Sequence, residues 1–185
     1  MCEIVTYTGR IVSPFRIKKD DISVEDVAHA LSLLCRFNGH SSFFYSVAQH
    51  SLNVEDVLRR MGFGGKVRLM GLFHDASEVY VSDLPSPIKP FLEGYRDNER
   101  EIQDRVWDFL GLEVSKEELE QVIRVDKLVF LREAEVFSMD ISIGDDVDIL
   151  DKRDLEVVVK EEDWRVVKNN FLERYKELKN KILIC

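Results

Sequence analysis

The chain has 185 residues, 45% hydrophobic and 33% charged, which is enough for one globular domain with its own core. A net charge of −9 and a pI near 5.0 exclude the broad basic face that a nucleic-acid polymer requires, and leave room for a small anionic ligand held by a local cationic or metal cluster. Cys2, Cys35 and Cys185 form neither a disulfide framework nor a zinc-ribbon spacing, no apolar stretch reaches membrane-spanning length, and the N-terminus lacks a signal-peptide core, so a soluble cytoplasmic protein is expected.

In chain order, Ile4 to Thr8 and Arg10 to Ser13 alternate around Thr8-Gly9 and predict a short hairpin ended by Pro14. Ser23-x-x-Asp26 has the form of a capping box and opens a helix through Val27, Ala30, Leu31 and Leu34. Asn38-Gly39 is a turn, after which Ser41 or Ser42 is expected to cap a second helix running to about Met61. Gly62, Gly64 and Gly65 precede a third helix, Lys66 to about Tyr80, and Pro85 and Pro87 force a loop over residues 82–87. Helices are then expected from about Tyr95 to Gly111, from the Ser115-x-x-Glu118 capping box to about Phe137, and from about Glu161 to Leu183. Between the last two lies an acidic stretch, Asp140 to Asp154, with a possible short strand at Glu156 to Val159. The expected fold is all-α: one domain over residues 1–185, a helical core at about 24–138, a C-terminal helix, and a small extended N-terminal hairpin.

The chemistry centres on His74-Asp75, followed by Glu78, in a segment whose neighbours Leu69, Met70, Leu72 and Phe73 are apolar. Charged groups on a buried face require partners or a metal. The dipeptide alone is weak, because a core His bonded to a backbone carbonyl has the same appearance. Asp126, however, interrupts the apolar stripe Leu119, Val122/Ile123, Val129/Phe130 and Val136/Phe137, and His50 stands between Val47 and Val54, Val57 and Leu58, so both point inward. A His–Asp core pair is one reading of this. The other is an N2O2 set of His50, His74, Asp75 and Asp126, suited to one divalent transition metal such as Zn, Mn, Co, Ni or Fe.

The order His50, then His74-Asp75, then a distant Asp126 resembles the HD-domain metal-dependent phosphohydrolases. Ser46-Val47-Ala48-Gln49-His50-Ser51-Leu52 resembles the "VAEHS" segment of bacterial 5′-deoxynucleotidases, and His74-Asp75-Ala76-Ser77-Glu78-Val79 with Asp83-Leu84-Pro85-Ser86-Pro87-Ile88-Lys89 resembles their "HDASEV…DLPTPVK". The likeness covers residues 24 to 135, and a phage dATP triphosphohydrolase belongs to the same broader group. The chain departs from the nucleotidases at Arg36-Phe37, where they have Arg-Trp, and at Gln49, where they have Glu.

The resemblance implies an HD-type helical bundle and a homo-oligomer, dimer or larger, for which the apolar stripe of the C-terminal helix (Trp164, Val167, Phe171, Tyr175, Leu178) is one candidate interface and its own core the commoner destination. It implies catalytic roles for Glu78, which can orient or deprotonate a water or protonate the leaving oxygen, and for Asp83, otherwise a turn residue. Arg36 suits a bidentate phosphate contact, Phe37 can stack on a base, and His40 and Lys89 are candidates for phosphate or sugar, each with a plain surface or structural role as the alternative. His29 is read as structural. The expected activity is metal-dependent hydrolysis of deoxynucleoside 5′-monophosphates. Triphosphohydrolysis of deoxynucleoside triphosphates and a non-catalytic nucleotide-sensing role stand as alternatives.

Overall fold

A computed structural model describes residues 3–139 and 156–184. The hairpin is shorter than expected: β1 (Ile4–Val5) pairs antiparallel with β2 (Ile11–Val12), Ile4 opposite Val12, and Gly9 takes the left-handed turn position at φ +82°. The other described residues are helix or connection, consistent with an all-α fold.

Helix α1 (Val24–Leu33) starts after Ser23, but the expected capping box is not made there. Asp26 turns instead to the hairpin, accepting hydrogen bonds from the Thr8 amide (2.7 Å), Thr8 Oγ1 (2.8 Å) and Thr6 Oγ1 (3.0 Å). A carboxylate with three donors outcompetes one with a single helix amide, so Asp26 is buried as the anchor of the N-terminal segment.

Helix α2 (Val47–Arg60) is capped at Ser46, four or five residues beyond the expected Ser42 or Ser41. Ser41 bonds the Phe43 carbonyl, and the cap is Ser46, whose hydroxyl accepts from the Gln49 amide while Gln49 Oε1 accepts from the Ser46 amide. Gln49 also donates its Nε2 to the Lys160 carbonyl (2.9 Å), a bond that a glutamate at this position cannot make.

The expected third helix is two. Helix α3 (Gly65–Phe73) stops before His74, and the short α4 (Glu78–Val81) follows a turn over 74–77. The break is stabilised from α5 (Tyr95–Leu110): Gln103 Nε2 donates to the Phe73 carbonyl (2.9 Å) and Gln103 Oε1 accepts from the Ser77 amide (3.1 Å), satisfying two backbone groups that a continuous helix would have paired internally. Glu78 therefore does not share a helix face with His74 and instead opens the next element.

Helix α6 (Lys116–Val136) has the Ser115/Glu118 capping box as expected. Ile123, placed in the apolar stripe by its spacing, is 44% exposed, while Val122, Val125 and Val129 face the core. The acidic stretch at 140–154 lies outside the described residues. Residues 156–160 form no strand; they run over α2, where Asn53 and Gln49 hold the Val158 and Lys160 carbonyls. Helix α7 (Trp164–Ile184) starts later than Glu161, and Asp163 accepts from the Arg165 amide (2.7 Å) ahead of its first turn.

The stripe of α7 goes to the chain's own core: Val167, Phe171 and Leu178 are fully buried against α1 and α3, with Phe171 edge-on to Phe73. Helices α2 and α3 approach closely at Gly71, where an added Cβ would lie 2.3 Å from Leu58 Cδ1 and 3.3 Å from Val54 Cγ1. Glu55, buried on α2, pairs with Arg68 of α3 (2.6 Å) and with Arg174 of α7, so one carboxylate links three helices. Close approach of α2 and α3, together with α6 across them, sets the spacing of the side chains that matter for chemistry.

Candidate metal centre

His50 from the first turn of α2, and His74-Asp75 just after the end of α3, come together: one donor atom from each lies within 4.8 Å of the other two, a group able to hold a metal ion. His50 Nε2 is 3.8 Å and His74 Nε2 3.2 Å from Asp75 Oδ2. Asp126 of α6 reaches the same place, its Oδ1 2.9 Å from His50 Nε2 and 3.7 Å from His74 Nε2. Its side chain is 34% exposed, so it stands at the mouth of a cleft rather than in the sealed core that its spacing suggested.

The two imidazoles are oriented through their other nitrogens. His74 Nδ1 lies 2.8 Å from the Gly71 carbonyl, which can only accept, so the proton sits on Nδ1 in the neutral ring and the Nε2 lone pair is free. His50 Nδ1 lies 2.9 Å from Glu133 Oε1, which fixes that ring in the same sense. His74 Nε2 is buried and has no hydrogen-bond partner among the described residues. The polar atoms it faces are the Asp75 and Asp126 carboxylate oxygens at 3.2 and 3.7 Å, so a proton or a cation must stand between nitrogen and oxygens, and a metal ion serves all of them at once. This donor set fits a borderline divalent transition metal.

Glu133 escaped the reading of the sequence. It is fully buried, accepts from the Tyr45 hydroxyl (2.7 Å), and pairs with Arg36 Nη2 at 3.3 Å. Its signal was present: it stands seven residues, two turns, after Asp126 on the same face of α6. Tyr45, held in turn by Asn53 Nδ2 at 2.8 Å, completes this support.

Electrostatics follow from crowding. Burial alone pushes the His74 imidazole down, but Asp75 and Asp126 outweigh it and hold it well above its ordinary value. Burial likewise raises Asp75, and His74 with His50 reverses this, bringing it down to about 2. Burial raises Asp126, and the His50 imidazole hydrogen-bonded to it at 2.9 Å, with His74 beside it, outweighs this and holds it well below the usual carboxylate range. Glu78 goes the other way: burial first, then Asp75 and Asp83, push it well above its ordinary value. It is 4% exposed, and its Oε2 is buried without a partner among the described residues. Asp83, half-buried after Ser82 at φ +71°, is raised mainly by burial, with Arg36 opposing.

The remaining candidates divide. Arg36 is buried and engaged, 3.6 Å from Asp75 Oδ2 and paired to Glu133, rather than standing on the surface. Phe37, at φ 54° in the turn Arg36–Gly39, packs its ring on Phe130 and Phe137. His40 is exposed and does not line the cleft. Lys89 does line it, paired with Glu99 at 2.7 Å. His29 stacks on Tyr7 at 3.6 Å and meets Trp164 edge-on, a structural role as expected.

The cleft beside the His/Asp group has a volume of about 390 Å³, within the range of small-molecule sites. His74, Asp75 and Asp126 form one side, Trp107, Leu119, Val122 and Ile123 an apolar one. No helix among the described residues is long and apolar enough to cross a membrane.

No family model matches the chain. It is 38% identical over 112 residues to the uncharacterized protein YfdR of Escherichia coli K12, covering 60% of each chain. An uncharacterized protein of Rhodobacter capsulatus is 41% identical over 91 residues, 46% of this chain and 44% of that one. The 5′-deoxynucleotidase YfbR of Escherichia coli O1:K1 is 33% identical over 84 residues, 37% of this chain and 42% of the relative. The matched region thus spans at most 60% of the length of these curated relatives. Over that part of its length, the chain is similar to 5′-deoxynucleotidases.

Proposed function

We propose that the chain is a metal-dependent phosphohydrolase that releases phosphate from deoxynucleoside 5′-monophosphates. The observation that carries this reading is the oriented, unpartnered Nε2 of His74 facing Asp75 and His50 beside an open cleft. His50, His74, Asp75 and Asp126 would hold the metal. A divalent ion bound there supplies Lewis acidity toward a phosphoryl oxygen and lowers the pKa of water.

The chain's own residues do the rest. Glu133 and the Gly71 carbonyl keep the imidazoles turned toward the site. Glu78, buried and holding its proton more tightly than an ordinary carboxyl, handles the proton that the attacking water or the leaving oxygen requires. Asp83, close enough to raise Glu78, assists on the same side. Arg36 sits between Glu133 and Asp75 and keeps both carboxylates in place, with its guanidinium oriented toward the group. The apolar wall of Trp107, Leu119 and Ile123 suits the flat face of a base.

The test is a phosphate-release screen of nucleotides with Mn, Co, Zn and Ni, run on the wild type and on Asp126→Ala. The substitution is expected to remove metal and activity together. Metal content near one per folded chain in the variant would sink the ligand assignment, and an inactive wild type with bound metal would favour the nucleotide-sensing alternative.

Metal uptake should also depend on pH in a definite direction. In the metal-free protein the raised His74 carries a proton that a metal must displace, so apparent affinity climbs as pH rises past 6.5 and through the raised value. The metal-free fold has the opposite dependence: the His74 contribution is fully present below 6.5 and is lost as pH rises through its folded-state value. The Asp75 contribution is present above 3.8 and disappears as pH falls toward about 2. Metal titrations at stepped pH check the first statement, and thermal unfolding of metal-free protein the second. A flat affinity from pH 6 to 8, on the order of the range an ordinary His spans, would contradict the ligand role of His74.

A further inference from the structure

Helix α5 brings two cations to the same cleft. Arg96 and Arg100 stand one turn apart, so they project from one face of the helix, and both line the cleft that His74, Asp75 and Asp126 bound. Lys89 lines it too but is neutralised by Glu99. Neither arginine forms an ion pair among the described residues, although Asp97, Glu101 and Asp104 lie within reach along the helix. Like charges one turn apart disfavour a helix. In a chain of net charge −9, these two exposed guanidinium groups are the cationic donors of a cleft that Asp75, Glu99, Asp104 and Asp126 also line, and they stand ready to pair with an anion that enters it.

We propose that Arg96 and Arg100 form an anion subsite for a second phosphate group, beyond the one presented to His50, His74 and Asp75, so that the cleft admits nucleotides with a polyphosphate chain as well as monophosphates. Guanidinium groups match this task, because each presents parallel N–H donors to two phosphate oxygens. The apolar wall of α6 lies along the same cleft, which leaves Arg96 and Arg100 of α5 for the charged end of a ligand. This inference rests on reading the cleft as a nucleotide site, but the two can fail separately.

The experiment is calorimetric titration of the full chain, metal-free, with inorganic tripolyphosphate and with orthophosphate, at low and raised salt. Tripolyphosphate is expected to bind more tightly than orthophosphate, with affinity falling as salt rises. Arg96→Ala and Arg100→Ala should each weaken tripolyphosphate binding by roughly tenfold or more, the usual loss for a charge-assisted bond. Arg→Lys at either position should recover only part of it. Both side chains are exposed, so the variants should keep the fold, which circular dichroism verifies. A wild type that does not bind tripolyphosphate, or a double variant that binds it as well as wild type, overturns the subsite. In the metal-loaded enzyme the variants should raise KM for nucleoside triphosphates and leave kcat for monophosphates near normal. Monophosphate hydrolysis with triphosphate KM unchanged in the variants refutes the subsite and leaves the nucleotidase reading standing. Arginine-dependent tripolyphosphate binding with no nucleotide hydrolysed does the reverse.

Discussion

Glu78→Gln should leave the protein folded and metal-loaded while turnover falls by roughly 10²- to 10⁴-fold, the usual contribution of a positioned acid–base group. The substitution conserves volume and removes the titrating proton, so it separates proton handling from packing. Glu78 suits the role because its carboxyl is 4% exposed, has one oxygen without a partner among the described residues, and is pushed up by burial with Asp75 and Asp83 adding to it. Its position at the first residue of α4, after the turn that ends α3, sets it apart from the ligand set. Metal analysis, kcat and nucleotide affinity should be compared at saturating metal. Near-normal kcat would remove Glu78 from the chemistry, and a variant that cannot retain metal would make it a ligand or a support for one.

The largest stability effect is expected at Glu133. Glu133→Ala leaves the buried Arg36 guanidinium without its partner and strips the Nδ1 acceptor from His50 and the acceptor from Tyr45. Removing one member of a buried ion pair costs about 3–5 kcal/mol. Loss of the group that orients a ligand imidazole lowers metal affinity by roughly 10- to 100-fold. Glu133→Gln keeps an oxygen toward His50 and should lose less of both. Denaturant unfolding of the metal-free protein and a metal titration measure the two effects independently. A Glu133→Ala variant as stable as wild type would mean that Arg36 finds another partner, with Asp75 at 3.6 Å the nearest candidate.

Local patterns carried the fold a long way. The Ser115/Glu118 box and the proline loop behave as their side chains dictate, and Gly111, free of a Cβ, takes the left-handed position that ends α5. Where expectation and structure part, a distant residue has intervened. Asp26 leaves its helix cap for the threonines of the hairpin. Ser46 caps α2 with Gln49, a pairing as legible as the serines chosen, and its burial against the Cys35 backbone decided between them. The α3/α4 break depends on Gln103, thirty residues downstream of Phe73, and no local pattern foretells it. At the site, inward spacing identified His50 and Asp126 correctly as neighbours, since both lie on regular helices. Glu133 was missed because a carboxylate at the end of a charged helix reads as solvated until Arg36 and Tyr45 are seen folded against it.

The position of α7 has a consequence for how the chain is made. It leaves the ribosome after α1 and α3, yet its Val167, Phe171 and Leu178 fill the space against them. Until α7 emerges, those two helices present bare apolar faces, and Glu55 has Arg68 but not yet Arg174. A nascent chain in that state exposes hydrophobic surface prone to aggregation. Closing so long a loop makes the final docking slow relative to helix formation. The helices that bear His50, His74, Asp75 and Asp126 have all emerged by then, so the donors are synthesised well before the core that steadies them is sealed.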